Sequence, residues 1–417
     1  MKAIILAAGK GTRLHPLTSN RPKPLLEVGG KTILGRVIEQ VTELTEDDEI
    51  RIVTHTHHEL VNMFLEDNYG NLNITTIYQE KPKGTADALN CALEGIEDDF
   101  IVVFGDVIFE RGALIEAYKA FWERKEDGVD AMATGVALED LSKYGVFSTT
   151  REGIAKEVIE KPLPDQIREG MVANAGFFVF PPEIKTYLKN VKPSQRGELE
   201  LTEAIEELIR NKKVYVHTLK GAWFDVGYPW SLLEANRHLL EQECDSFQIL
   251  GTVEEGVKIH GKVHVAKSAR IRSGTYIEGP AYFDEGADIG PNTYIRGASY
   301  FGKNSRVGNA CEVKNSIIYA GTHAAHLSYI GDSILGEKCN LGAGTITANL
   351  RHDNMPVKVT IKGTRISSGR RKLGVIMGDN VKTGIGVSIL PGVKIGCRAH
   401  INADETVNRD VPDRIPE

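Results

Sequence analysis

A chain of 417 residues with 41% hydrophobic and 26% charged residues has room for two folded domains, and this balance excludes a disordered or fibrous protein. Its formal net charge of −7 supplies no basic field for nucleic acid or an anionic membrane, so anionic ligands must be held by local cations. The five cysteines form no Cys-x-x-Cys pair and support neither a disulfide framework nor a zinc knot; with no leader pattern and no apolar run of about 18 residues, a cytoplasmic protein is expected.

Lys2 to Leu6 reads as a buried strand that empties into Ala7, Ala8, Gly9, Lys10, Gly11, Thr12 and Arg13. Small residues there let main-chain N–H groups converge on an anion, and Arg13 and Lys23 add fixed positive charge. Neither a Gly-Lys-Ser/Thr ending nor a third glycine is present, which argues against a Walker loop and a dinucleotide fingerprint and for polyphosphate chemistry. Helical spacing over Ile33 to Leu44, a strand over Glu49 to Thr54, a helix over His57 to Asn68 and a strand over Asn73 to Gln79 predict a mostly parallel α/β sheet with both faces covered. The cluster His55, His57 and His58 lacks a Cys or carboxylate at ligand spacing and reads as a surface turn. Thr85 or Asp87 is expected to cap a helix running to Leu93. Phe100 to Phe104 ends in Gly105-Asp106, and a carboxylate at the carboxyl end of such a strand is placed either to hold a metal or to cap a turn.

Pro229 to Glu243 is apolar on one side and charged on the other, and predicts a linking helix. From Ile259 through Val265, Ile271, Ile277, Phe283, Ile289, Ile295, Phe301 and Val307 to Val313, a large apolar residue recurs every six positions. Two places earlier stand small or β-branched residues, from Val257 and Val263 to Ser305 and Cys311, and the comb returns at Ile389, Ile395, Ile401 and Val407. Such a period predicts a hexapeptide parallel β-helix, with Gly274, Gly286, Gly290, Asn292 and Asn304 turning its corners. The expected organisation is a nucleotide-binding domain over 1–228, a linker over 229–250 and a β-helix over 251–417.

Leu6 to Leu14 followed by Arg21-Pro22-Lys23-Pro24-Leu25 resembles the signature of sugar-1-phosphate nucleotidylyltransferases. The resemblance implies a Rossmann-like domain that transfers UMP or dTMP from UTP or dTTP to a sugar 1-phosphate. Leu6, Ala7, Ala8, Gly9 and Gly11 would wrap the nucleotide, with Gln79, Gly84 and Thr85 reading the base. Arg13 and Lys23 would hold the triphosphate, and Asp106 with Asp225 would hold Mg²⁺. Gly145, Glu160, Lys161 and Asn174 match the family's sugar-phosphate side.

His326 to Asp332 with Asn340 to Asn349 resembles the acyltransferase site of the bifunctional N-acetylglucosamine-1-phosphate uridylyltransferase/glucosamine-1-phosphate N-acetyltransferases, whose β-helix is left-handed. That resemblance implies acetyl-CoA as co-substrate, meeting Ala343, and His326 as general base with Asn349 orienting either the substrate amine or the base. It assigns Arg296, Lys314, Tyr329, Asn340 and Lys358 to the amino-sugar phosphate, and implies a homotrimer with sites between subunits. The alternative is a glucose-1-phosphate thymidylyl- or uridylyltransferase whose β-helix serves assembly alone.

Overall fold

The computed structural model describes residues 1–45, 48–194 and 196–415, and the chain divides into two compact units. The first comprises Met1–Lys10, Pro22–Leu25 and Ile33–Asp225; the second comprises Gly11–Arg21, Leu26–Thr32 and Val226–Glu417. The chain begins with β1 (Ala3–Leu6), then β2 (Glu27–Val28) and β3 (Lys31–Thr32), which form a small antiparallel ladder.

In the first unit, α1 (Ile33–Thr45), β4 (Ile50–Thr54), α2 (His58–Tyr69), β5 (Ile74–Tyr78), α3 (Thr85–Cys91) and β6 (Phe100–Phe104) alternate as expected. They are followed by β7 (Val107–Phe109), α4 (Ala113–Lys125), β8 (Ala131–Val136), β9 (Gly145–Thr149), β10 (Ala155–Glu160) and β11 (Val172–Phe180). The unit closes with α5 (Ile184–Leu188), α6 (Leu201–Asn211), β12 (Val214–Thr218) and β13 (Trp223–Asp225). The main sheet runs β10-β9-β11-β6-β1-β4-β5, with β8 and β12 joined beside β11. β6, β1, β4 and β5 form one parallel array and β12 pairs parallel with β8, but β11 runs antiparallel to β6, β8 and β9, and β10 returns against β9 as a hairpin, so the sheet is mixed rather than mostly parallel. Alternate residues of β1 serve opposite faces. Ala3 and Ile5 join one apolar core, while Ile4 and Leu6 join the other.

In the second unit, α7 (Pro229–Glu243) precedes a left-handed parallel β-helix whose three faces have eight, eight and seven strands among the described residues. The first face runs from Thr252–Val253 to His400–Ile401, the second from Lys258–His260 to Thr406–Val407, and the third from Val263–Val265 to Lys394–Ile395. The comb points inward: Ile277, Phe283, Ile289, Ile295, Phe301, Val307 and Val313 are fully buried. The small partners Thr275, Ala281, Ala287, Thr293, Ser299 and Ser305 are buried beside them. All five expected corner residues have positive φ, from 51° at Asn292 to 98° at Gly290.

Coils continue where the comb is lost from the sequence. The inward positions after Val313 are Ile318, Ala324, Ile330, Leu335, Leu341 and Thr347. Two steps, Val313 to Ile318 and Ile330 to Leu335, are one residue short, and both fall at the corner between the second and third faces. At that corner of the next coil, between Thr347 and Met377, an insertion carries the antiparallel hairpin Lys358–Ile361 and Thr364–Ser367.

Early segments of chain are bound into this second unit by partly buried polar contacts. Arg21 donates to Glu337 Oε1 at 2.5 Å and to Asp379 Oδ2 at 2.7 Å. The Tyr300 hydroxyl lies 2.7 Å from Glu27 Oε2 and 3.3 Å from Asp284 Oδ2, and the Tyr319 hydroxyl donates to the Glu27 carbonyl at 3.1 Å. Burial pushes both the Glu27 and Asp284 carboxyls above their ordinary range.

Candidate functional sites

In the first unit, β6 delivers Gly105-Asp106, and the Gly105 N–H donates to the Leu6 carbonyl at 2.8 Å. A Cβ at Gly105 would stand 2.9 Å from Ile5 Cγ2, so glycine permits the close approach of these two strand ends. The short ladder of β13 with β7 sets Asp225 opposite Val107, beside Asp106 in sequence. Lys23, buried, aims its ammonium at both acids: 2.9 Å to Asp106 Oδ2 and 3.5 Å to Asp225 Oδ1. Three residues separated by up to 202 positions therefore meet at one point. Two carboxylates focused on one cation form an oxygen donor set that suits Mg²⁺, which takes one or two protein carboxylates and completes its shell with water and phosphate.

Around this point Leu6, Ala7 and Ala8 are buried and the Ala7 N–H donates to the Val53 carbonyl at 2.8 Å, whereas nothing among the described residues lies within 4 Å of a Cβ built on Gly9. That side of the loop is open to a ligand. Gly11 takes a left-handed φ of 63°, and Arg13 follows in a 3₁₀ turn of the second unit, its guanidinium 5.0 Å from the Tyr228 ring. Gln79, buried at the end of β5, donates to Asp87 Oδ2 at 2.6 Å; that bond commits part of its donor capacity and points the amide oxygen away from the acid. Thr85 does not cap its own helix. Gly84 is the N-cap of α3, which ends at Cys91 rather than Leu93, and the Thr85 hydroxyl instead accepts the Leu201 N–H at 2.9 Å, capping α6. Of the three histidines, His55 Nδ1 is 2.8 Å from the Gln79 carbonyl oxygen, and the His58 ring contacts Thr54 and Asn62.

The sugar-phosphate candidates also come together. Glu160, at the end of β10, accepts from Thr202 Oγ1 at 3.1 Å and from Arg196 Nη2 at 3.1 Å. Gly145 leaves room for this carboxylate, since a Cβ there would stand 2.6 Å from Thr202 Cγ2 and 3.1 Å from Glu160 Oε2. Lys161 has a left-handed φ of 49° and donates its N–H to the Tyr144 carbonyl at 2.8 Å. A bulge in β11 after Asn174 breaks the register with β8, and Asn174 Oδ1 accepts the Gly176 N–H at 3.0 Å. The Trp223 indole donates to the Ala175 carbonyl at 2.9 Å, tying this bulge to the strand that carries Asp225. Burial, reinforced by the charge of Glu160, raises the Glu200 carboxyl above its usual range.

In the second unit, Arg296, Lys314 and Gly331 are register partners in successive coils of the second face, with Glu312 and Tyr329 alongside. Arg296 pairs with Glu312 at 3.0 Å. The Lys314 ammonium lies 3.7 Å from Asp332, and burial, with Lys372 nearby, lowers its pKa. Asn349 donates to the Tyr329 hydroxyl at 3.2 Å and to Asp332 Oδ2 at 2.6 Å; burial raises the Tyr329 pKa. His326 ends a strand of the first face and is exposed, its carbonyl accepting from Ser328 Oγ at 2.9 Å.

Comparison with known proteins matches both units. Residues 2–242 fit the nucleotidyl transferase family model, and residues 277–389 fit the GMPPB C-terminal domain model. The bifunctional protein GlmU of Methanocaldococcus jannaschii is 43% identical over 414 residues, covering 99% of this chain and 96% of the relative. The bifunctional sugar-1-phosphate nucleotidylyltransferase/acetyltransferase of Sulfurisphaera tokodaii is 40% identical over 411 residues, covering 99% and 98%. The chain belongs to this bifunctional family. Among solved structures, a putative glucose-1-phosphate thymidylyltransferase from Bacillus anthracis, in complex with a sucrose, is 28% identical with a TM-score of 0.51, covering 57% of this chain and 95% of that one. A UDP-glucose pyrophosphorylase solved with UDP-glucose, at 23% identity and TM-score 0.52 over 58% of this chain and 98% of that one, shares the fold.

Membership of the family covers the β-helix as well as the first unit, which favours the bifunctional reading over a β-helix used for assembly alone. The candidate residues of the second unit do not all meet within one chain. Asn340 stands on the first face, in register with His323 and Lys382, whereas Arg296, Lys314 and Tyr329 line the second. Lys358 lies on the inserted hairpin, and Ala343 follows the strand of Asn340, its carbonyl accepting the Gly386 N–H at 2.9 Å. No role is assigned from sequence alone to Asp332, a buried acid in contact with several candidates although it closes the His326 to Asp332 segment, nor to Arg196 and Thr202, the partners of Glu160.

Proposed function

We propose that the first unit transfers UMP or dTMP from UTP or dTTP to a sugar 1-phosphate, and that the second acetylates glucosamine 1-phosphate with acetyl-CoA. The convergence of Asp106, Asp225 and Lys23 carries the first half of this reading. A phosphate oxygen of the sugar 1-phosphate attacks the α-phosphorus, a new P–O bond forms, and the bond to pyrophosphate breaks. The buried Lys23 ammonium offsets charge on the transferring and leaving oxygens, the electrostatic and positional work that this class of reaction needs. Asp106 and Asp225 would hold Mg²⁺, which when bound supplies further positive charge to the phosphates. Glu160 and Asn174 would position sugar hydroxyls, and Lys161 the sugar phosphate.

In the second reaction the amine of glucosamine 1-phosphate attacks the thioester carbon. His326 removes the amine proton and returns it to the departing sulfur, giving the N-acetyl product and free thiol. Arg296 and Lys314 supply cations for the phosphate on a protein of net charge −7. Because Asn340 and Tyr329 lie on different faces, a site that uses both is completed by a second copy of the chain, and a homotrimer packed through flat β-helix faces supplies it. A cytoplasmic location accords with these substrates; no described helix is long and apolar enough to cross a membrane.

The deciding experiment runs both assays on the full chain: pyrophosphate release from UTP and dTTP with N-acetylglucosamine 1-phosphate and glucose 1-phosphate, and thiol release from acetyl-CoA with glucosamine 1-phosphate. Both products are expected. Pyrophosphate without thiol would return the β-helix to an assembly role, and intact nucleotidylyl transfer in both Asp106→Ala and Asp225→Ala would defeat the metal assignment.

A further inference from the structure

The shortened corners of the β-helix enclose a polar cluster with Asp332 at its centre. Its side chain is buried and its backbone takes a φ of 47°, a left-handed conformation that Asp tolerates better than most residues. Oδ1 accepts from Asn315 Nδ2 at 2.7 Å and Oδ2 from Asn349 Nδ2 at 2.6 Å; Lys314 and Arg370 approach to 3.7 and 4.0 Å. Asn315 occupies the equivalent shortened corner one coil earlier, so the loss of a residue at both corners accompanies this contact. Arg370, from the inserted segment, also reaches Glu234 at 3.3 Å.

The chemistry of this cluster fixes an orientation. A carboxylate only accepts, so the Asn349 face toward Asp332 must be its NH₂. The second hydrogen of that NH₂ points to the Tyr329 hydroxyl. Asn349 is thereby left with its side-chain oxygen, an acceptor, for a ligand, and Tyr329, having accepted, keeps its own O–H to donate. Gly331 keeps this pair free of obstruction: a Cβ there would lie 2.6 Å from the Tyr329 hydroxyl and 2.7 Å from Asn349 Nδ2.

We propose that Asp332 is the positioning residue of the acetyl-transfer site, holding the Asn349 amide so that its oxygen accepts an N–H of the substrate amine and aims the nitrogen lone pair at the thioester. This inference rests on the acetyltransferase reading of the second unit. Asp332→Asn preserves shape but lets the Asn349 amide turn over, presenting N–H groups to an amine. The double variant Asp332→Asn/Asn349→Asp exchanges carboxylate and amide, keeps the charge and hydrogen-bond count, and restores an outward acceptor.

The test measures thiol release from acetyl-CoA with glucosamine 1-phosphate, with nucleotidylyl transfer and thermal melting of the same preparations reporting on fold. Asp332→Asn is expected to lower kcat for acetylation by about 10–100-fold, the effect of losing one charge-assisted hydrogen bond, with KM for acetyl-CoA within about twofold of wild type. The double variant is expected to recover at least about a tenth of the wild-type kcat, and this prediction stands even if the single variant does not fold. Wild-type kcat in a folded Asp332→Asn, or a folded double variant as inactive as His326→Ala, overturns the proposal. Absence of acetyl transfer in the wild-type protein would overturn the functional reading instead.

Discussion

The two candidate sites are assembled by opposite means. In the first unit, strand ends distant in sequence converge, so Lys23, Asp106 and Asp225 reach a single point from three parts of the chain. In the second, residues accumulate along a row: Arg296, Lys314 and Gly331 stand in register because successive coils repeat. Converging strand ends can close a site within one chain, while a row on a β-helix face can draw further residues from a corner or an insertion. The distinction predicts that the two activities are separable by mutation.

The largest separation is expected from His326→Ala, which should lower acetyl transfer by about 10²–10⁴-fold, the usual worth of a general base; pyrophosphate release should stay within about twofold of wild type. The converse variant, Lys23→Ala, should lower nucleotidylyl transfer by about 10²–10³-fold, as loss of a focused electrostatic contact does, with thiol release preserved. If either variant loses both activities while melting normally, the sites are not separable as drawn.

Gly145→Ala sharpens the contrast within the first unit. Its methyl group would press on Thr202 and Glu160, so KM for the sugar 1-phosphate should rise about tenfold, equivalent to roughly 1.4 kcal/mol, with KM for the nucleotide little changed; titrating each substrate in turn distinguishes the two. The smallest effect concerns stability. Burial raises the Glu27 carboxyl in the folded protein, so the folded state binds its proton more tightly than the unfolded chain. Stability from this group is present below the unfolded pKa near 4.5 and is lost as pH rises toward the folded value. Glu27→Gln should therefore melt a few degrees above wild type at pH 8, the gap closing on acidification to pH 4; a gap that is constant with pH would show that Glu27 does not titrate across folding.

Much of this molecule is legible in its sequence, for reasons that differ between its parts. The hexad comb reads directly from Ile259 to Val313 because each large residue fills one face of a coil, and the buried row in the structure follows it. It fades where Val313 to Ile318 and Ile330 to Leu335 step by five, since a fixed period cannot follow a shortened corner. In the first unit, single strands and helices follow from apolar spacing, yet the mixed sheet does not, because spacing along one strand says nothing of its neighbour's direction. Site residues at strand ends, such as Asp106, are marked by the apolar run before them. Asp332 and Thr202 lack such a flag: one is buried at a corner, and the other looks like an ordinary residue of a helical first turn.

The anchoring of Arg21 bears on modularity. The segment Gly11–Arg21, which carries Arg13, is packed into the second unit through Glu337 and Asp379. The chain thus passes from one compact unit to the other and back before Lys23, well ahead of the boundary at Asp225. A gene cut there would yield a fragment that keeps Lys23 and both acids yet strands a guanidinium without its two counter-charges. Exchanging catalytic cassettes between relatives would therefore require carrying Arg21 and its two acids together.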